Sequence, residues 1–422
     1  MKNYLAIFGL IALSFAGIIS CNNDLGLHTE PIKAGEWRGV IAIQGQELPF
    51  NFTVVYDSTS APIITIKNAD ERLILDEVTI ENDSLLIPLY IFDATLKLKI
   101  LANDRLAGAY VKHDAAVLYE IPTTAVFGST RFRGNKSTDD SMHEAISGKW
   151  AITFDRKDGS ISKGIAVLEA TTDGILTGSI LKATGDYRFL EGQIEQDGII
   201  KLSTFDGAHT YLFEARLNPE TGQITDGTFW SGMSREEQFS AVKDSAIVLP
   251  DATSFTYLKE GYDKFTFSFP DLTGEPVSLE DPRFKGKAVI VQIFGTWCPN
   301  CMDETRFLSQ WYAENKERRV EIIALAYEAK DDFDYAVSRV ERMKAKMNPG
   351  YDFLIAGINK NEEASKTLPM LNRVVAFPTT IILDQNHDIV IIHTGFNGPG
   401  TGEYYTEFVE SFTTTMNGIL QK

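Results

Sequence analysis

Lys287-Ala-Val-Ile-Val-Gln-Ile-Phe-Gly-Thr-Trp-Cys-Pro-Asn-Cys301 is the stretch from which the rest of the chain can be read. After Lys287, the seven residues Ala288 to Phe294 form an apolar run broken only by Gln292, the pattern of a strand covered on both faces inside a parallel sheet. Gly295 and Thr296 turn the chain. Pro299 suits the first position of a helix, where its missing N–H would have had no partner anyway. Leu308, Trp311 and Tyr312 follow at helical spacing from Cys301, so one face of that helix packs on the sheet while its N-terminal end carries both cysteines.

Downstream, the same grammar continues. Val320 to Tyr327 reads as a second buried strand. Asp331 to Met347, apolar at Phe333, Val337, Val340, Met343 and Met347, reads as a helix stopped by Asn348-Pro349-Gly350. Thr379–Leu383 and Ile389–His393 flank the turn Asp384-Gln-Asn-His387 as a hairpin, and Tyr405, Phe408, Val409, Phe412 and Met416 mark a closing helix. Residues 262–422 are therefore expected to form an α/β domain.

Upstream, the period changes to two. Runs such as Leu48-Pro-Phe-Asn-Phe-Thr-Val-Val55 and Thr95-Leu-Lys-Leu-Lys-Ile100, separated by Asn/Asp/Gly turns, predict antiparallel β-structure throughout. The region also repeats. Gly35-Glu-Trp37 recurs as Gly148-Lys-Trp150, and Phe92-Asp93-Ala94 recurs as Phe205-Asp206-Gly207, both at an offset of 113 residues. Ile80-Glu-Asn-Asp83 aligns with Ile194-Glu-Gln-Asp197 at 114, the slip a loop insertion produces. Two tandem all-β units follow, 34–127 and 146–245, each a barrel or a sandwich of roughly seven or eight strands. Residues 128–145 and 246–261 are expected to be linkers. The Gly-x-Trp openings resemble those of lipocalin- and avidin-type barrels; the plainer reading is that Trp37 and Trp150 plug a packed β-core.

The totals exclude several partners. Among 422 residues, 58 Asp and Glu outnumber 40 Lys and Arg, for a formal net charge of −18. Nucleic acid binding needs a basic footprint that this chain lacks. Lys2 precedes an apolar run, Leu5 to Ile19, too short to span a bilayer comfortably, which reads as an export signal over 1–20. Ile18-Ile-Ser-Cys21 resembles a bacterial lipobox, which makes Cys21 a lipid anchor to the membrane and 21–33 a tether. Of three cysteines, one is then consumed and a single pair remains. No second Cys pair or local His pair completes a zinc site, so neither metal nor cofactor is expected.

A Cys-x-x-Cys at a helix start sets both sulfurs one turn apart on one face, close enough to form a disulfide. Unsatisfied N–H groups and the positive end of the helix dipole favour thiolate at the first sulfur, so Cys298 is the expected nucleophile. Cys301, one turn in, stays protonated until it resolves the mixed disulfide. Glu304 lies three residues beyond Cys301 and can lean back toward the pair, or it can be a solvated first-turn acid.

Phe284-Lys-Gly-Lys287, Trp297-Cys-Pro-Asn-Cys301 and Ala376-Phe-Pro-Thr-Thr380 together resemble the ResA/TlpA-like branch of exported thioredoxin-fold oxidoreductases. The resemblance runs from about Phe265 to the C-terminus and implies a thioredoxin-like fold for this domain. It further implies a cis peptide at Pro378, a Phe377 backbone that pairs with bound peptide, and a proton-shuttling role for Glu304. Trp297, Pro299 and Phe377 would then form the docking face. Thioredoxins proper carry a buried aspartate six residues before the first cysteine; here Gln292 cannot take a proton, which shifts that task toward Glu304. Many relatives have tryptophan where this chain has Phe294, a change of packing.

The expected function is a membrane-anchored thiol–disulfide oxidoreductase of the cell envelope, facing the periplasm or the cell surface and acting as a reductant. Its partners would be cysteine-containing envelope proteins and a thiol–disulfide electron donor. Two other readings remain at this level: a thiol peroxidase, and a ligand-binding or assembly lipoprotein with an accessory redox domain.

Overall fold

The computed structural model describes residues 32–421. The signal segment 1–20 and Cys21 lie outside the described residues. Ile32 is buried and the Lys33 N–H binds the Asn103 carbonyl at 2.8 Å, so the last two residues of the expected tether already belong to folded structure.

The first β-unit is one nine-stranded antiparallel sheet, running from the strand Gly35–Ile43 to the strand Tyr119–Phe127. Its first and last strands pair, Trp37 opposite Phe127, but the strands Glu71–Leu75 and Thr79–Glu81 remain as two free edges. It is a half-barrel rather than the closed barrel or sandwich expected. The reason is on its open side, where Phe205 and Leu212 of the second unit complete its apolar core. Phe205 sits 4.8 Å from Phe50 and 5.1 Å from Tyr110, ring centre to ring centre.

The second unit closes on itself. Its strand Ile161–Ala170 pairs with both Gly148–Asp155 and Ile175–Lys182, completing a ring of eight, and the two-residue strand Gly185–Asp186 extends one rim. Trp37 and Trp150 are both fully buried, and each indole N–H binds a carbonyl four residues earlier, Lys33 at 2.9 Å and Ile146 at 2.8 Å. The barrel interior, lined by residues such as Ile152, Leu202, Phe213 and Phe239, leaves a cavity of only ≈ 20 Å³, room for a single water. The stretch 128–145 is seated between the units: Arg131 binds the Ser203 hydroxyl (3.0 Å) in one and Asn68 (2.9 Å) in the other, and a helix forms at Asp140–Ile146.

The C-terminal domain is thioredoxin-like. Five strands, β1 (Ala288–Phe294), β2 (Val320–Glu328), β3 (Asp352–Ile358), β4 (Thr379–Leu383) and β5 (Ile389–Thr394), form a sheet in the order β3-β2-β1-β4-β5. β1 is parallel to β2 and antiparallel to β4. Ala288, Ile290 and Phe294 face one layer, containing α1 (Pro299–Asn315), α2 (Phe333–Met347) and α4 (Glu403–Leu420); Val289, Val291 and Ile293 face the other, with α3 (Asn361–Thr367). Both faces are covered, which is why β1 is apolar at nearly every position. α2 starts at Phe333 rather than Asp331 because the Asp332 side chain caps it, accepting the Tyr335 N–H at 2.8 Å. Among the described residues no helix is long and apolar enough to cross a membrane.

Candidate active site

The site is built at the junction of β1 and α1. Gly295 follows the strand where a Cβ would lie 2.6 Å from the Tyr327 carbonyl oxygen, so any side chain there would press on that backbone. Thr296 is held by the Glu328 carboxylate, which accepts its N–H at 2.9 Å and its hydroxyl at 2.8 Å. Cys298 is the cap residue of α1, and the Cys301 N–H points at its sulfur at 3.2 Å. Pro299 occupies the first turn. The two cysteines are joined as a disulfide, their Cα atoms 5.2 Å apart.

The chain brings further predicted residues to this spot. The Phe377–Pro378 peptide is cis, and the Phe377 carbonyl oxygen lies 3.6 Å from the Cys298 sulfur. The Trp297 indole donates to the Tyr327 carbonyl at 2.8 Å and meets the Phe377 ring edge-on at 5.5 Å. Trp297 and Phe377 are half-buried, Cys298 is 6% exposed and Cys301 fully buried. Pro299, expected on the docking face, is instead buried, and its neighbour Asn300 is covered by a turn of the second β-unit.

Glu304 is not a solvated acid. It is buried on α1 and points into the domain, where its oxygens accept the Thr380 hydroxyl (2.7 Å) and the Gln292 amide (2.9 Å). Gln292 in turn accepts from Tyr351 at 3.3 Å and Thr305 at 3.2 Å. Burial pushes the Glu304 carboxyl up to about 7, although both hydrogen bonds pull the other way. Glu328 is raised to about 7 for the same reason, opposed by its bonds to Thr296. The strand position noted at Gln292 thus belongs to a buried polar network, centred on an acid that can exchange its proton near neutral pH.

Two groups escaped sequence reasoning. Glu328 ends a strand thirty residues beyond Cys298, with no local motif to flag it. Arg188, in the second β-unit, reaches Asp303 on α1 at 2.9 Å, Asp206 of its own unit at 3.0 Å and Glu71 of the first unit at 2.7 Å. All four side chains are buried or nearly so. Burial works against every charge in this cluster. Arg188 nevertheless stays well above its ordinary range because Asp303, Glu71 and Asp206 surround it, and His209 with Arg188 holds Asp206 below the usual carboxylate range. Glu71 is pushed up by burial that Arg188 only partly offsets.

Comparison with known proteins fits this geometry. A Redoxin family model matches residues 250–407. Thiol-disulfide oxidoreductase ResA of Bacillus cereus (strain ATCC 10987 / NRS 248) is 30% identical over 179 residues, which cover 40% of this chain and 92% of that protein. The chain belongs to the ResA-type thiol–disulfide oxidoreductases. A second ResA, from Bacillus thuringiensis subsp. konkukian (strain 97-27), is 30% identical over 154 residues, 36% of this chain and 78% of its own. Among solved structures, the thioredoxin domain of a thiol-disulfide oxidoreductase from Bacteroides vulgatus is 22% identical, covering 37% of this chain and 99% of that domain at a TM-score of 0.27. As a ResA-type protein the chain is an enzyme of thiol–disulfide exchange, and its β-units lie outside the residues that the Redoxin model matches.

Proposed function

We propose that this chain is a lipid-anchored reductant of the cell envelope that uses Cys298 and Cys301 to reduce disulfides in envelope proteins. The observation that carries the redox part is the Cys298 sulfur at the α1 cap, with the Cys301 N–H on it and the cis Phe377–Pro378 carbonyl beside it. That N–H and the helix dipole favour thiolate once the pair is reduced. The thiolate attacks one sulfur of the client disulfide, forming a mixed disulfide and releasing the other client sulfur as thiolate, which takes a proton from water. Cys301 then loses its proton to Glu304 and attacks the Cys298 sulfur. The Cys298–Cys301 bond forms, the client leaves as a dithiol, and the enzyme disulfide waits for two electrons from an external dithiol donor.

Trp297 and Phe377 support a docking role by flanking the sulfur, with Phe377 offering backbone to an extended client segment. Anchoring rests on Ile18-Ile-Ser-Cys21. One experiment with two arms tests the reading. Full-length Cys301→Ser, produced in a bacterial host, should be recovered from the membrane fraction carrying mixed disulfides through Cys298, and Cys21→Ala should move the protein out of that fraction. Absence of trapped clients sinks the reductant reading; a membrane fraction unaffected by Cys21→Ala sinks the anchor.

A further inference from the structure

In an unencumbered Cys-x-x-Cys site the dipeptide between the sulfurs, at an exposed helix start, is open to solvent. Here it is not: Asn300 is only 8% exposed, and its amide donates to the Asp186 carbonyl of the second β-unit at 3.2 Å. The turn Thr184–Arg188 lies against it. The Asp186 carboxylate accepts the Gly398 N–H at 2.7 Å, and Arg188 binds both oxygens of Asp303, one turn into α1, at 2.9 and 3.1 Å.

Three glycines allow that approach. At Gly395 a Cβ would lie 2.5 Å from the Thr184 carbonyl carbon, at Gly185 3.2 Å from the Asn300 amide nitrogen, and at Gly400 2.9 Å from the Arg188 carbonyl carbon. The first β-unit walls a further side. Ile91 and Phe92 share the apolar cluster of Cys298, Cys301 and Met302, and Arg342 holds the Tyr90 carbonyl at 2.9 Å. What remains partly open beside the sulfur is Trp297, Ala376 and Phe377.

We propose that the second β-barrel is the specificity element of the redox site: its Thr184–Arg188 turn closes the Pro299–Asn300 side, so that clients enter along Trp297 and Phe377 as extended, unfolded cysteine-containing segments and folded surfaces are excluded. This rests on the reading of Cys298 as the attacking sulfur. A folded protein needs clearance on both sides of its disulfide to bring it onto a sulfur so little exposed. An extended segment needs clearance along one line only, and the Phe377 backbone provides that line.

The test uses the reduced full-length chain and three disulfides: 5,5′-dithiobis(2-nitrobenzoate), an unstructured peptide closed by one disulfide, and a folded protein with one surface disulfide. Each rate is divided by the rate with dithiothreitol. The peptide should be favoured over the folded protein by at least about tenfold. In Gly400→Val, a side chain is driven against the Arg188 backbone and wedges the turn away. That preference should then shrink to within about threefold, with the small aromatic disulfide reacting as in the wild type. Equal normalised rates for peptide and folded protein in the wild type overturn the proposal, and that result needs no variant to fold. So does a folded Gly400→Val whose preference is unchanged. If even the small disulfide fails to react, the assignment of Cys298 falls, and this proposal with it.

Discussion

The Glu304 carboxyl is fully buried on α1, where it accepts hydrogen bonds from the Gln292 amide and the Thr380 hydroxyl. Two consequences follow from a carboxyl raised from 4.5 to about 7. At neutral pH both its protonated and ionised forms are populated, which suits the proton-shuttling role proposed for it. Glu304→Gln should slow resolution of the mixed disulfide about a hundredfold and flatten the pH–rate profile around 7. The stability effect has the opposite sense. The fold favours the protonated form, so that contribution is complete below pH 4.5 and is lost as pH rises through about 7. Glu304→Gln, which cannot ionise, should match the wild type near pH 4.5 and be more stable by about 3 kcal/mol at pH 8.5. Urea titrations at the two pH values check this; a variant less stable at pH 8.5 would mean that the carboxylate is the form the fold prefers.

At the scale of elements, the strand–turn–helix of the site was readable because each part carries its own signal: an apolar run, a glycine turn, a proline in the first helical turn. β3 and α3 were not. β3 is seven residues long and contains Gly357, and α3 has seven residues with no side-chain cap at its start, so neither sustains a period that can be told from a loop. Glu328 was missed for a related reason: its partner is the Thr296 turn, which only the parallel pairing of β1 and β2 brings alongside. That turn is tight enough to test. At Gly295 an added methyl would fall 2.1 Å from the Trp297 indole nitrogen and 2.6 Å from the Tyr327 carbonyl oxygen, the two atoms that hydrogen-bond each other. Gly295→Ala should therefore cost about 1–3 kcal/mol and displace Trp297, read as a lower urea midpoint and a change in tryptophan fluorescence. A variant unchanged in both would show that the turn relaxes without disturbing Trp297.

For the whole molecule, the repeat was visible but its asymmetry was not, because closure is decided by what covers a sheet edge rather than by the strands themselves. The equivalent segments Phe92-Asp93 and Phe205-Asp206 have diverged in position: Phe92 packs with the redox core, whereas Phe205 fills the first unit. Arg188 is where all three parts meet, through Glu71, Asp206 and Asp303. A buried ion cluster gains little over a well-packed apolar one, yet removing a single partner strands the others' charges out of water. Arg188→Met keeps the length and loses the charge, leaving three carboxylates facing one another. It should cost about 3–5 kcal/mol at neutral pH. The loss should ease as pH falls, since protonating Glu71, whose carboxyl burial already pushes up, relieves the repulsion. Because the cluster ties the redox domain to both β-units, the variant should also split thermal unfolding into separate steps if the wild type melts as one. A calorimetric trace of Arg188→Met that keeps the wild-type shape and midpoint would show that apolar packing around Phe92, Phe205 and Met302 holds the three parts together without the charges.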